Sequence, residues 1–326
     1  MRTFFKLVLV LILIAAAWIA WALYLPVTPS EPKFVLLRPG WTTRHIAREL
    51  KANGIIRSDT AFLAMHVLRG AKTLKAGEYK FDRPANALRV RDRLTHGDIY
   101  VREVTVPEGY NMFDIAHSVE QAGLGTAADF LNAARTDLFL VKDIDPQATS
   151  LEGYLFPDTY AFTRTMSSHD MAAAMVHHFR QEAKAINLTA DIHRVVTMAA
   201  IVEKETAVPA ERPEVASVYY NRLKMNMALG ADPSVIYAAL LNDRYRGTIY
   251  QSDLQFDSPY NTYKYPGLPL GPIANPGRAS LEAAMHPADT QFLYFVADAQ
   301  VHHRFARTLD EHNRNVAAYR HALAAQ

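Results

Sequence analysis

The chain has 326 residues, of which 50% are hydrophobic and 21% charged, and its formal net charge is +2. This is an ordinary globular composition, long enough for two modest domains, and the small net charge does not indicate nucleic acid binding. The absence of cysteine excludes disulfides, thiol nucleophiles, thiolate metal sites and lipid attachment through a thiol.

The first predicted element is a membrane-spanning helix. Residues 7–25 carry no charge, and about 20 apolar residues suffice to cross a bilayer. Arg2 and Lys6 precede this run and the next basic residue is Lys33, so the positive-inside rule predicts a cytoplasmic N-terminus. A cleaved signal peptide is the alternative, because residues 20–22 read Ala-Trp-Ala, but the apolar run is longer than a usual signal core.

A small strand-helix-helix-strand unit is predicted next. Residues 27–33 read as a Pro-rich linker, and residues 34–37 as a strand. A helix capped near Thr42 or Thr43 follows the Pro-Gly turn, and a second helix over residues 59–68 has Asp59 as its expected cap. Residues 74–81 are the second predicted strand.

A related pattern recurs at a constant offset of 69 residues. The matched pairs are Gly40 and Gly109, Trp41 and Tyr110, Ile46 and Ile115, Ala47 and Ala116, Leu50 and Val119, Gly54 and Gly123, and Ile55 and Leu124. The pattern indicates one strand-turn-helix-helix unit used twice, although two copies are weak support for duplication and similar local packing is an equal alternative.

The remaining elements are mostly helical. Residues 150–162 read as an aromatic loop or strand, and residues 258–277 are too rich in Pro and Gly for a helix or central strand. Helices are predicted over residues 168–186, 195–202 (ending in residues 203–206), 213–223, 234–241 (capped by Asp232), 279–286 and 309–324, with a buried strand over residues 292–298.

Two glutamates at the end of an apolar helix are the strongest candidates for chemistry. A carboxyl that leaves a hydrophobic core at a helix end is in surroundings that raise its pKa and suit it to general acid catalysis. Glu203 and Glu205 point to opposite sides of the helix, and the apolar periodicity favours Glu203 as the more buried. The structural alternative for either is an ion pair with Arg212, Arg222 or Lys204.

The loop of residues 258–277 is the second candidate. Its tyrosines can stack on sugar rings and its amides can bind hydroxyl or acetamido groups, and loops of this length are usually functional. The residues concerned are Tyr260, Asn261, Thr262, Tyr263, Tyr265 and Asn275. A structural loop held by prolines is the alternative.

The histidines lack metal-ligand spacing, and Glu152 and Asp158 fit capping better than a second catalytic carboxylate.

Several separate blocks resemble a known family. They are Ile-Val-Glu-Lys-Glu-Thr at residues 201–206, Val-Ala-Ser-Val-Tyr-Tyr-Asn-Arg-Leu at 215–223, Asp-Pro-Ser-Val-Ile-Tyr at 232–237, Ser-Pro-Tyr-Asn-Thr-Tyr at 258–263, Gly-Pro-Ile-Ala-Asn-Pro-Gly at 271–277 and Tyr-Phe-Val-Ala-Asp at 294–298. In this order they resemble the endolytic murein transglycosylases of the MltG/YceG-like family, over nearly the whole chain.

The resemblance implies an α+β protein of the inner membrane with three parts. These are an anchor with a cytoplasmic N-terminus (residues 1–26), a linker and LysM-like subdomain (27–100) and a periplasmic catalytic domain (101–326). The implied partners are peptidoglycan glycan strands, with peptidoglycan synthases as candidates. No cofactor or metal and no nucleic acid is implied.

The resemblance also implies site residues. Glu205 is the implied catalytic residue, against the periodicity argument. The implied substrate-binding residues are Thr206, Asn221, Asp232, Tyr260, Asn261, Thr262, Tyr263, Asn275 and Glu152. The chain departs from the family pattern at Gly230-Ala231 and at Val301-His302, which affects the neighbouring subsites, and His303 matches the family histidine by position.

The reaction implied is cleavage of the N-acetylmuramic acid β-1,4-N-acetylglucosamine bond within strands, giving 1,6-anhydro ends and terminating elongation. One carboxyl acts as acid and then as base, unlike the two-carboxylate scheme of most glycosidases. Two alternatives stay open. One is a hydrolytic muramidase with Glu152 or Asp232 as second carboxylate, and the other is a non-catalytic glycan-binding scaffold.

Overall fold

The computed structural model describes residues 1–298, 300 and 302–324, so the expected departure at Val301 lies outside the described residues. The chain divides into two compact units. The first contains Met1–Glu103 and Ala161–Ser167, and the second contains Val104–Tyr160 and Ser168–Gln326. The sequence prediction placed a boundary after residue 100 and did not include the return of residues 161–167 to the first unit.

The first unit begins with α1 (Arg2–Tyr24), which is the one helix among the described residues that is long and apolar enough to cross a membrane. The elements after it are β1 (Lys33–Leu37), α2 (Thr43–Ala52), α3 (Asp59–Leu68), β2 (Gly77–Phe81) and α4 (Ala87–His96). The strands pair antiparallel, with Val35 opposite Tyr79. The predicted strand-helix-helix-strand order is confirmed, whereas α4 was not predicted.

The second copy of the repeat is present as β3 (Arg102–Thr105), α5 (Met112–Gln121) and α6 (Ala127–Thr136). The matching extends to the helix caps, since the side chains of Thr42 and Asn111 each accept a hydrogen bond from the backbone N–H three residues later. Gly54 and Gly123 both adopt left-handed backbone, with φ of 67° and 68°. The 69-residue offset is therefore a repeat of local structure as well as of sequence.

The second unit is built around α8 (Ile192–Glu205), which packs against α9 (Arg212–Lys224), α10 (Asp232–Leu241) and α12 (Arg278–Met285). The other elements of the second half of the chain are β4 (Thr159–Phe162), α7 (Ser168–Ala185), α11 (Gln251–Leu254), β5 (Tyr294–Ala297), β6 (His303–Ala306) and α13 (Leu309–Ala324). Residues 258–277 form neither helix nor strand, as predicted.

Three local predictions were wrong. The cap of α3 is Ser58, whose hydroxyl accepts from the Ala61 N–H at 3.1 Å, and Asp59 is the first helical residue. Asp232 likewise lies inside the first turn of α10, which leaves its carboxylate free for another contact. The strand β5 is half-buried rather than buried, because the hairpin that it forms with β6 is partly open to solvent.

Candidate active site

The helix α8 carries the two glutamates out of the protein core. Its residues 195–202 are all buried, so the helix is held by apolar packing on every side. It ends at Glu205 because Thr206 turns to extended backbone, with φ of −135°. The Thr206 hydroxyl accepts a hydrogen bond from the Val208 N–H at 3.0 Å, which gives that backbone donor a partner just after the helix end. This ordered exit fixes the positions of both carboxyl groups.

Glu203 is a member of a buried ion pair. Its Oε1 accepts from Arg212 at 2.8 Å, and only 5% of the Glu203 side chain and 7% of the Arg212 side chain are exposed. Its Oε2 accepts from the Gly277 N–H at 3.0 Å. Both carboxylate oxygens therefore already have strong donors, which is the arrangement of a carboxylate with a structural role. The ion-pair alternative considered for this residue is the one observed.

Glu205 has very different surroundings. Its one direct hydrogen bond among the described contacts comes from the Tyr219 hydroxyl at 2.8 Å. Burial raises the pKa of Glu205 to about 7, against the lowering effect of Tyr219, while the charge of Asp232 raises it and that of Arg222 lowers it. Near neutral pH a carboxyl with this pKa is present in both protonation states, so it can give a proton and take one back.

Asp232 and Tyr263 are within electrostatic range of Glu205. The Tyr263 hydroxyl donates to the Asp232 carboxylate, and the electrostatic coupling of both residues to Glu205 places them at the same site. Arg222 is held there by the carbonyls of Leu229 and Leu293. Of the loop tyrosines predicted to line a groove, Tyr263 is thus the one that interacts electrostatically with the candidate carboxyl, and it is 42% exposed.

An open cavity of about 630 Å³ adjoins this carboxyl. Its wall is formed by Glu108, Gly109, Glu203, Lys204, Glu205, Thr206, Ala207, Arg212, Ala297 and His303. The His303 Nδ1 lies 2.7 Å from the Glu211 carboxylate, which His302 also contacts at 2.9 Å. Burial raises the pKa of Glu211, but these hydrogen bonds outweigh it and the net pKa is lowered.

Three predicted binding residues of the loop are structural in position. Asn261 is 1% exposed and its amide donates to the carbonyls of Leu254 and Phe256. The Thr262 hydroxyl, also 1% exposed, accepts from the Ala231 N–H at 2.9 Å. Tyr260 is buried as well. These side chains shape the loop that holds Tyr263 and do not face solvent.

Asn275 and Glu152 form a second buried network. The Asn275 side-chain Oδ1 accepts from the N–H groups of Gly153 and Leu155, and the side-chain Nδ2 donates to the Tyr110 carbonyl and to the Glu152 carboxyl. Glu152 also accepts from a backbone N–H, and burial raises its pKa to about 8. All hydrogen-bonding positions of Asn275 are used, so this network ties three chain segments together and is not placed to bind a ligand.

Asn221 is also used internally, since its amide donates to the carbonyls of Thr290 and Phe292.

Sequence reasoning did not single out Tyr219 or Glu211. A buried tyrosine needs a partner for its hydroxyl, and this requirement was the available signal for Tyr219. No pattern in the sequence pointed to Glu211. Within the described part of the chain there is no cluster of side chains suited to a metal ion.

The fold and the site together define a class of protein. It is a mixed helix-and-sheet protein with an N-terminal apolar helix, which presents a carboxyl of raised pKa at a cavity wall. Within this class the chain belongs to the YceG-like family, whose sequence profile matches residues 35–318. The family named from the sequence blocks is thereby confirmed.

The relatives agree with this assignment. An endolytic murein transglycosylase of Bacillus subtilis (strain 168) is 35% identical over 302 residues, which are 86% of this chain and 82% of that protein. An endolytic murein transglycosylase of Streptococcus pneumoniae (strain D39) is 28% identical over 90% of this chain and 60% of its own length. A crystal structure of a yceG-like protein from Listeria monocytogenes is similar with a TM-score of 0.57 and 31% identity, covering 88% and 99% of the two chains.

Proposed function

We propose that this chain is an endolytic murein transglycosylase, a lyase that cleaves the MurNAc-β-1,4-GlcNAc bond inside peptidoglycan strands. Its family and the name shared by its relatives support this activity. The observation that carries the proposal is the contrast between the two glutamates. Glu203 is committed to Arg212, whereas Glu205 has a pKa raised to about 7 at the wall of an open cavity.

In the proposed mechanism Glu205 acts twice. Protonated Glu205 donates its proton to the glycosidic oxygen as the bond to the muramyl anomeric carbon breaks. The resulting carboxylate, stabilised by the Tyr219 hydroxyl, takes the proton of the muramyl 6-hydroxyl, whose oxygen attacks the anomeric carbon. The product is a 1,6-anhydromuramyl end and no water is consumed. Acid–base catalysis of this kind contributes about 10²–10⁴ in rate, and the intramolecular nucleophile needs no second activating carboxylate.

Among the residues implied to bind substrate, Asp232, Tyr263 and Thr206 are retained in the proposed site, because they interact electrostatically with Glu205 or lie in the cavity wall. Glu152, Asn275 and the remaining buried side chains are assigned to the scaffold that holds these residues. No cofactor is needed for the reaction.

The setting of the enzyme is part of the proposal. The helix α1 would anchor the chain in the inner membrane with a cytoplasmic N-terminus, and the catalytic unit would lie in the periplasm. The unit of β1, α2, α3 and β2 would be the LysM-like subdomain that binds glycan. An anchored enzyme acts near the membrane, which favours nascent strands as substrate, a role in terminating their elongation, and peptidoglycan synthases as partners.

The test is mass analysis of sacculi digested with the full-length protein and its Glu205→Gln variant. We expect anhydro ends with the native enzyme and a loss of about 10²–10⁴ in their rate of release with the variant, which retains fold and glycan binding. Anhydro ends released at the native rate by Glu205→Gln would refute the assignment.

A second candidate activity is hydrolysis. The observation in its favour is that the charge of Asp232 acts on Glu205, because most glycosidases use a pair of carboxyl groups. Products carrying reducing ends, one water heavier than anhydro ends, would identify a muramidase. Binding of glycan by the native chain without any cleavage would instead identify a scaffold protein.

A further inference from the structure

The helix α3 is apolar on both of its faces. One face is buried in the first unit through Ala61, Phe62 and Met65. The opposite face contains Val67 and Leu68, which are 66% and 86% exposed. A helix on the surface of a soluble domain normally has a polar outer face, and exposed neighbouring apolar side chains indicate a surface that contacts something else.

The edge of this outer face that contains Leu68 lies beside the end of the apolar helix α1. A groove of about 490 Å³ separates the two helices. It is lined from α1 by Trp18, Ile19, Leu23 and Tyr24, and from α3 by Thr60, Ala61, Ala64, Met65 and Leu68, with Arg69 following. The exposed apolar surface of α3 is therefore continuous with that of α1.

The chain that leaves α1 is fixed to the first unit by hydrogen bonds. The Arg57 guanidinium donates to the carbonyls of Leu25 and Pro26 and lies 5.0 Å from the centre of the Trp21 ring. Val27 and Ala85 exchange two backbone hydrogen bonds of 2.8 and 3.1 Å. The end of α1 and α3 thus belong to one connected structure, so the depth of α1 in a bilayer determines the depth of α3.

That depth follows from the geometry of a helix. At about 1.5 Å per residue, the 23 residues of α1 span roughly 34 Å, slightly more than the roughly 30 Å of bilayer hydrocarbon. The groove begins at Trp18, about 9 Å before the end of α1. An element that packs there lies at the boundary between acyl chains and headgroups, where Trp and Tyr are also favoured.

We propose that the outer face of α3, defined by Thr60, Ala64, Val67 and Leu68, is a membrane-contact surface occupied by lipid of the leaflet in which α1 ends. The inference rests on the proposed role of α1 as an anchor and is independent of the catalytic proposal. Arg69 and Lys72, both exposed, follow this face in the chain and carry the charge that attracts lipid phosphates. The surface would hold the first unit in one orientation on the bilayer, as interfacial helices do.

The absence of cysteine in the chain makes a direct test simple. Full-length protein is prepared with one cysteine at a time, labelled with an environment-sensitive fluorophore, and placed one copy per lipid nanodisc with or without acyl-brominated phospholipid. The variants are Leu68→Cys, Val67→Cys and, in α1, Ile12→Cys. Ile12 is 58% exposed on the anchor.

We expect brominated lipid to quench the labels at residues 67 and 68 to an extent comparable with the label at residue 12. Quenching at residue 12 without quenching at 67 and 68 would overturn the inference and leave the anchor intact. A blue-shifted but unquenched label at residue 68 would mean that protein covers the face, which also overturns it. Absence of quenching at residue 12 would refute the anchor and the inference together. None of these readings depends on catalytic activity.

Discussion

Replacing Tyr219 with phenylalanine removes the direct hydrogen bond to Glu205 and changes little else in shape. The Tyr219 hydroxyl donates to the Glu205 carboxylate at 2.8 Å and so favours its ionised form, which lowers the pKa of Glu205. Burial, the larger effect, raises that pKa to about 7 in the native protein. Without the hydroxyl, the pKa of Glu205 must rise further.

The size of the change follows from the strength of the bond. A hydrogen bond to a charged group contributes about 1.5–3 kcal/mol, and 1.36 kcal/mol corresponds to one pH unit. The pKa of Glu205 in Tyr219→Phe should therefore rise by about one to two pH units. Because the proposed reaction begins with protonated Glu205, the alkaline limb of the kcat profile should move to higher pH by this amount.

The assay is the rate of anhydro-end release from purified glycan across the pH range in which the protein stays folded. The matched control is Tyr220→Phe, which loses a hydrogen bond from a tyrosine hydroxyl to Ala284 O, of 2.9 Å, away from Glu205. We expect the control to keep the native profile. A Tyr219→Phe profile that superimposes on the native one, or moves to lower pH, would refute the reasoning.

Three further predictions concern stability. Glu203→Gln removes the close ion-pair partner of the buried Arg212 and leaves it only the longer contact with Glu108, at 3.4 Å, so it should lower the free energy of unfolding by about 3 kcal/mol in denaturant titrations. Gly153→Ala should destabilise by at least about 2 kcal/mol, because Gly153 has φ of +88° and a Cβ there would lie 2.5 Å from the Pro272 ring. His193 has a pKa raised above 6.5 by a hydrogen bond with a buried aspartate, opposed by burial. The stability that it contributes is full below pH 6.5 and is lost as the pH rises through the raised value, so thermal unfolding of His193→Gln should depend less on pH in that range.

Each of these predictions has its own control. Glu205→Gln removes a carboxyl whose pKa is already raised, so it should unfold no more easily than the native protein; equal losses from both glutamine variants would contradict the assigned roles. Gly267→Ala shares a positive φ, +103°, but meets no atom within 4 Å, and should cost less than Gly153→Ala. Asp145→Asn should mimic His193→Gln, since Asp145 is the aspartate concerned. If either variant unfolded with the pH dependence of the native protein, the His193–Asp145 pair would be excluded as the cause of that dependence.

Much of the local structure was predictable from local patterns. The terminal helix over residues 309–324 and the helix over residues 59–68 were predicted with the bounds that are observed, because apolar periodicity is a property of neighbouring residues. The 69-residue offset predicted a second pair of helices for the same reason. Cap residues were less certain, since Ser58 and Asp59 are both good caps and the choice depends on one backbone angle.

The roles of the two glutamates could not be read from periodicity. Both leave the core on the last turn of α8, and the helix wheel favoured Glu203, while the family resemblance favoured Glu205. The deciding contacts come from residues distant in the chain. Gly277 donates to Glu203 across 74 residues of sequence, and Asp232 raises the pKa of Glu205 from another helix.

The sequence by itself determined that the chain has an apolar N-terminal helix, a repeated strand-helix-helix unit and a core helix ending in two carboxyls, because these depend on spacing within single segments. Only the tertiary structure showed which carboxyl is paired with Arg212 and which has a raised pKa. It also decided that Asn261, Thr262 and Asn275 are buried rather than exposed in the loop. A pKa and a solvent-facing side chain both depend on which distant groups pack nearby, and spacing along the chain does not contain that information.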